Sequence, residues 1–492
     1  MRRERRFVAL SVAALTAMAV GLTGCTTTNP ATGQSEFTPL MTPAQEVQVG
    51  AEEHPKIIKR FGGVYDDPQV GGWIAQVGGA LAANSELPDL AFTFTVLDTD
   101  QVNAFAVPGG YIYITRGLIA LANTEAEIAG VLAHEIGHVT ARHTAQRYNR
   151  TVAANLITTV LGAATGSREL AQVGQLVGAG VLASYSRDQE FEADVLGVRY
   201  MTRTGYNPYG QADLLSQLQR ERQLALAIAG REGEDPTANF FASHPNTVER
   251  VQRAVAAADD AGGAANAPYR RDEFLAQVNG LIYGGSPDHG YIRGRTFWHP
   301  KLRFAFTVPP DFRLINTPRA VFAKGPGGAQ IRFDISKKAG GADPLAYLVD
   351  VWARNLRLRE VERITVNGLP AATGAADVNT RAGRRGLRLI AVRSSTGAMF
   401  RLMFLTPPGL EDRLREDLQR TTYSLRELSP GEAARLKPRR IRVVTVGVGD
   451  TVESIAQRMA VDDFPVERFR VLNALPADAR LRVGERVKIV SE

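Results

Sequence analysis

Apolar side chains change period several times along this chain. From Thr124 they recur at three and four (Ile128, Val131, Leu132, Ile136, Val139), which predicts an amphipathic helix, and Thr124 with Glu127 supplies a capping box for its start. Upstream, Thr42-Pro43-Ala44-Gln45 predicts another helix start, with Thr as N-cap and Pro at the first helical position. Alternation over 92–97 and again over Tyr111–Thr115, after the turn at Pro108-Gly109-Gly110, predicts two strands. The second of these reads either as ordinary core or as a strand on which a peptide substrate docks by β-augmentation. Ala and Gly dominate 151–185 in two apolar runs of about 13 residues, each too short to span a bilayer, which predicts a helical hairpin against the domain or on a membrane surface.

The pattern loosens at 256–268, an Ala- and Gly-rich linker, and then turns to strands at Leu302–Val308, Ala329–Ile335, Val361–Val366, Gly386–Val392 and Met399–Leu405, with helices near 343–357 and 410–420. A last compact unit runs as a strand (Ile441–Val446), a helix from Thr451, a second helix leading to Leu472, and a strand after Gly484. The chain is therefore read as multidomain α+β: a mostly helical domain over 42–255, a linker and connecting helix over 256–298, an α+β domain with an antiparallel sheet over 299–428, and a βααβ unit over 440–492.

Composition adds a compartment. At 492 residues, 44% hydrophobic and 22% charged, the chain is long enough for two to four folded domains. Its net charge of +7 owes three units to residues 1–24, where Arg2, Arg3, Arg5 and Arg6 face only Glu4, and the remaining +4 gives no reason to invoke a nucleic acid. Those arginines precede an apolar stretch from Phe7 to Val20, as in a secretory signal. The single cysteine, Cys25, excludes an intramolecular disulfide framework and any multi-cysteine zinc site. Leu22-Thr23-Gly24-Cys25 resembles the lipobox of bacterial lipoproteins, which implies removal of 1–24, a lipid on Cys25 and a tether over 25–41; the alternative is a plain signal peptide with an incidental cysteine. Thr26 after the cysteine, rather than Asp, favours an outer-membrane lipoprotein facing the periplasm over an inner-membrane one.

The chemistry is concentrated on the helix from Thr124. His134-Glu135-Ile136-Gly137-His138 is an HExxH pattern: four residues at about 100° each bring the two imidazoles within about 40° of one another, so both can ligate one metal ion, zinc being the natural occupant. Glu135 lies about 100° round from His134, close enough to act as general base toward a water activated by that ion. A catalytic zinc needs a third protein ligand, and no third histidine follows at the metzincin offset. Ser186 opens a second helical pattern that offers Glu190, with Asp194 on the same face to fix a ligand histidine; Glu192 is a rival ligand, and a solvated acidic face is the plain alternative. His143, five residues after His138, points away on helical spacing and reads as structural.

Several segments occur in order: Asn103-Ala104-Phe105-Ala106-Val107-Pro108-Gly109-Gly110, the HExxH followed by Ala141-Arg142-His143, Glu190-Phe191-Glu192-Ala193-Asp194, and Ser243-His244-Pro245 with Arg250. Over roughly 40–255 they resemble the gluzincin metallopeptidase family that includes HtpX, the CAAX prenyl proteases and the periplasmic beta-barrel assembly-enhancing protease. The resemblance implies a zincin-type domain holding one Zn2+ on His134, His138 and Glu190, with Glu135 as general base, Asp194 and Arg250 supporting the ligands, and Asn103 as a substrate contact. For His244 it implies a site role, stabilising the oxyanion or reaching zinc in a resting state; read alone, a histidine before proline is as often a capping residue.

Gly449-Asp450-Thr451, Leu472-Asn473 and the closing Gly484-Glu485-Arg486-Val487-Lys488 resemble a LysM module, which implies peptidoglycan as a partner, although a unit that only packs against its neighbour is the competing reading. The expectation is a lipid-anchored zinc endopeptidase acting on exported or misassembled envelope proteins. The alternative is a metal-stabilised chaperone or peptidoglycan-binding adaptor with little proteolytic activity.

Overall fold

The computed structural model describes residues 26–33, 35–37, 41–151, 184–229, 240, 244–245, 248–261, 266–336, 341–380 and 383–492. The export signal with Cys25, and the Ala/Gly-rich hairpin expected within 152–183, lie outside the described residues. The chain forms two compact units, one built from residues up to 281 with most of 441–491, the other from 282–440.

The first unit opens with a small hairpin, β1 (Thr26–Thr28) and β2 (Ser35–Phe37). Helices α1 (Pro43–Arg60) and α2 (Pro68–Ala83) lead into a sheet of β3 (Thr93–Leu97), β4 (Ala104–Val107) and β5 (Tyr111–Thr115). There follow α3 (Arg116–Leu121), α4 (Glu125–Thr140), α5 (Arg187–Thr204), α6 (Tyr209–Ala229), α7 (Val248–Asp260) and α8 (Arg271–Val278). The capping box at Thr42 forms as the sequence predicts, with Thr42 accepting from the Gln45 N–H and Gln45 accepting from the Thr42 N–H. At Thr124 only half of it forms. Thr124 Oγ1 accepts from the Glu127 N–H, but the Glu127 carboxylate reaches one residue farther and accepts from the Asn123 N–H at 2.8 Å.

Two expectations are corrected by packing. Helix α4 is not amphipathic, because all sixteen of its residues are buried among α2, α5, α6 and β4, so each polar side chain on it must find a partner inside the protein. Strand β5 is central, paired in parallel with β3 and antiparallel with β4. Both its hydrogen-bonding edges are occupied, so Tyr111–Thr115 cannot receive a substrate strand. Helices α4 and α5 approach closely at Gly137, where a Cβ would lie 3.1 Å from the Ala193 carbonyl oxygen and 3.3 Å from the Leu196 Cβ. That approach sets the spacing between the side chains the two helices contribute to the site.

The end of the chain completes this unit: β6 (Arg439–Thr445), α9 (Val452–Ala456), α10 (Pro465–Leu472) and β7 (Arg486–Ser491), with β6 and β7 adjacent in one sheet. Helix α10 packs on α3 and α6, and β7 on α8. Lys488 on β7 is fully buried, and its ammonium donates to the carbonyl oxygens of Ala120 (2.8 Å) and Ala122 at the C-terminal end of α3, where the helix leaves acceptors free. Arg486 pairs with Asp272 at 3.2 Å beside it.

The second unit is dominated by antiparallel sheet. Seven strands lie in the order Arg313–Asn316, Val321–Lys324, Gln330–Ser336, Met399–Thr406, Gly383–Arg393, Leu369–Thr380, Arg359–Val366, with helix Glu411–Ser424 and a core of Phe297, Phe304, Phe306, Phe333, Phe400 and Phe404. The twelve-residue strand Leu369–Thr380 was not expected. Its Pro, Gly and four alanines are poor strand formers, and Ala372 and Ala376 belong to one buried cluster with Tyr347 and Leu348.

Candidate metal centre

One turn of α4 places the Nε2 atoms of His134 and His138 3.1 Å apart. Helix α5, capped by Ser186, brings Glu190 to them, with Oε1 at 3.4 Å from His138 Nε2 and Oε2 at 3.7 Å from His134 Nε2. His244 Nδ1 lies 3.3 Å from His134 Nε2 and 3.0 Å from Glu190 Oε1. All four residues are buried and their donor atoms lie within 4.8 Å of one another. An ion held tetrahedrally at about 2.1 Å from nitrogen and oxygen ligands keeps those ligands about 3.4 Å apart, so separations of 3.0–3.7 Å fit such an ion. Of the two carboxylates left open by spacing, Glu190 joins this set and Glu192 does not.

Glu135 points into the same space, fully buried, with Oε1 3.4 Å from His244 Nε2 and no well-formed hydrogen bond to either of its oxygens among the described residues. Burial raises its carboxyl to about 7, against the opposing positive influence of His134. A carboxylate with that proton affinity and spare acceptor sites is suited to take a proton from water. Behind His134, its Nδ1 lies 2.9 Å from Asp194 Oδ1. Asp194 also accepts from Arg250 Nε (2.8 Å) and Nη2 (2.7 Å) and from Gln211 Nε2 (2.9 Å). Burial pushes the Asp194 carboxyl up, but the Arg250 guanidinium and these hydrogen bonds outweigh it, so the group stays below its ordinary value. Arg250 reaches Glu190 Oε2 as well, at 2.5 Å, so one buried cation serves two buried carboxylates.

Asn103 does not enter the donor cluster. Its backbone locks β4 to β5 through Thr115, and its buried Oδ1 has no hydrogen-bond partner among the described residues. Three aromatic and cationic neighbours escaped the sequence reading. Tyr185 stacks on His138 with centroids 3.7 Å apart, Phe240 stacks on His244 at 4.4 Å, and Arg147 lies over Tyr185 at 4.1 Å while donating to the Ala106 carbonyl. The i, i+4 spacing of Phe240 and His244 was a usable signal; Tyr185 stands just before the Ser186 cap and carried none.

His143 stays outside the donor cluster, but it does not point away from His138. Arg142 follows α4 in the left-handed region (φ 55°), which reverses the chain and brings the buried His143 back beneath His138, Nδ1 to Nδ1 at 3.0 Å. Arg142 is held there by Glu46, through Nε at 2.9 Å, and by the Met41 carbonyl at 3.0 Å.

Comparison with known proteins agrees with this geometry. Residues 68–258 match the model of Peptidase family M48, and residues 444–490 that of the LysM domain. The beta-barrel assembly-enhancing protease of Yersinia pestis is 32% identical over 164 residues, covering 31% of this chain and 33% of that protein. The protein of the same name from Escherichia coli K12 is 28% identical over 183 residues, covering 35% and 37%. The mitochondrial metalloendopeptidase OMA1 of Schizosaccharomyces pombe is 28% identical over 183 residues, covering 37% and 51%. The chain thus spans a third to a half of the length of these relatives.

Proposed function

We propose, from the match of residues 68–258 to Peptidase family M48 and of residues 444–490 to the LysM domain, a zinc-dependent endopeptidase of the cell envelope that hydrolyses exported or misassembled proteins. The observation that carries this reading is the buried set of His134, His138, Glu190 and His244 with Glu135 beside it. The names of the relatives, beta-barrel assembly-enhancing protease and metalloendopeptidase, support an endopeptidase with protein substrates.

His134, His138 and Glu190 would hold the ion. Bound there, zinc supplies a Lewis acid and makes a water acidic near neutral pH. Glu135 takes the proton of the attacking water and passes it to the leaving amine. Asp194, fixed by Arg250, holds the His134 ring with Nε2 toward the donor cluster. His244 would offer a fourth donor atom, which supports a resting arrangement that opens before substrate enters. Burial lowers the His244 imidazole, keeping it neutral as a ligand must be.

The test is cleavage of an unfolded protein such as casein by the full chain. Stripping the metal with a chelator should abolish cleavage, one equivalent of zinc should restore it, and His244→Ala should exceed the wild type. The complete donor set also favours a second reading, a metal-stabilised chaperone or adaptor whose protease site is rarely open. Stoichiometric zinc with no cleavage by either wild type or His244→Ala would leave that reading standing.

We assign Cys25 as the lipid attachment point, an outer-membrane location facing the periplasm, and peptidoglycan as the contact of the LysM domain. Cys25→Ser should release the protein from membranes while leaving it on purified sacculi. Unchanged membrane pelleting counts against the lipid, and failure to sediment with sacculi counts against the glycan contact.

A further inference from the structure

His138 turns one ring nitrogen toward the donor cluster and the other away from it. Nδ1 lies 3.0 Å from His143 Nδ1, and His143 Nε2 lies 3.2 Å from Glu192 Oε2. Asn29 Nδ2 donates to Glu192 Oε1 at 3.3 Å and to the Ala141 carbonyl at 3.4 Å. The proton directions have one consistent solution. If His138 Nε2 offers its lone pair to a metal, its Nδ1–H donates to His143 Nδ1; His143 Nε2–H then donates to Glu192, whose carboxylate accepts from His143 and Asn29 together.

Local structure holds every member in place. The left-handed Arg142 aims His143 inward, Glu192 lies one turn of α5 ahead of Leu196 and near the end of α4, and Asn29 is 1% exposed in a turn that its own Oδ1 closes by accepting from Ala31 N at 2.9 Å. The arrangement mirrors the support of His134, where a carboxylate lies directly behind the ring; behind His138 an imidazole stands between ring and carboxylate. We propose that His143, Glu192 and Asn29 form a positioning relay behind His138, so that the segment directly after Cys25 is part of the support of the metal centre rather than a passive tether.

The proposal rests on the metallopeptidase reading of the cluster, and the experiment separates the two. Zinc affinity of the metal-stripped full chain is measured by competition with a chromogenic chelator, alongside the visible spectrum of the cobalt-substituted protein. His143→Ala should weaken zinc binding about 10- to 100-fold and alter the cobalt bands. Asn29→Ala should weaken it about fivefold, the worth of one hydrogen bond. His143→Asn, whose Oδ1 can still accept from His138, should recover much of the loss, which a purely structural role would not require. If His143→Ala does not fold, His143→Asn and Asn29→Ala carry the test. A wild-type chain that binds no zinc sinks the metallopeptidase reading itself. Wild-type affinity and an unchanged cobalt spectrum in His143→Ala, or in Asn29→Ala where His143→Ala does not fold, sink the relay alone.

Discussion

Glu135→Gln should reduce casein cleavage by about 10²- to 10⁴-fold while leaving zinc content unchanged. The separation follows from geometry. Glu135 contributes no atom to the cluster of His134, His138, Glu190 and His244, yet its carboxylate projects into the same buried space, so an isosteric amide keeps the packing and removes only the ability to accept a proton. Its fully buried site disfavours a charge and so favours the neutral amide, and the variant should unfold no earlier than the wild type. Cleavage is to be followed on metal-loaded protein, with zinc measured on the same sample. Equal cleavage by both proteins would remove Glu135 from the chemistry, and loss of zinc together with activity would move it into the ligand set. Replacing the wild type by this variant in cells should also leave its substrates uncut, identifying them as the proteins that accumulate.

Lys488→Met should destabilise the first unit by about 3 kcal/mol or more. The side chain keeps its length but leaves the Ala120 and Ala122 carbonyls without their donor in a buried place, and it takes a cation away from the buried Glu127. Burial pulls the Lys488 ammonium down and pushes the Glu127 carboxyl up, each partly restored by the other's charge, so the two groups depend on one another. The loss should be read as a lower thermal transition and as faster protease nicking within 441–491. Wild-type stability in this variant would mean that the apolar contacts of α10 and β7 hold the segment without the ammonium.

The sequence revealed the catalytic helix because its signals are local: a cap, a 3.6-residue period and two histidines one turn apart. It revealed Glu190 and Asp194 through their i, i+4 spacing, and the resemblance then chose Glu190 over Glu192. What stayed hidden was set by long-range packing. No local pattern shows that α4 is enclosed on every side, that β5 takes the middle of its sheet, or that Lys488 reaches a helix end more than 360 positions earlier in the chain. The direction of His143 stayed hidden because helical spacing does not extend past Thr140, where the left-handed Arg142, stabilised by Glu46 from a distant helix, breaks the extrapolation. The strand Leu369–Thr380 escaped because its alanines answer to the buried cluster they belong to rather than to strand propensity.

The hydrogen bonds behind the metal ligands also bear on when the enzyme becomes competent. His134 meets His244 across 110 positions of sequence, and Asn29 meets Glu192 across 163. Contacts of such separation close late, since each requires the loop between its partners to be ordered first. An unfinished chain therefore carries the HExxH pattern without the assembled donor set. Completion of the fold brings the donor set together, so the chemistry belongs to the folded chain and not to its HExxH segment alone.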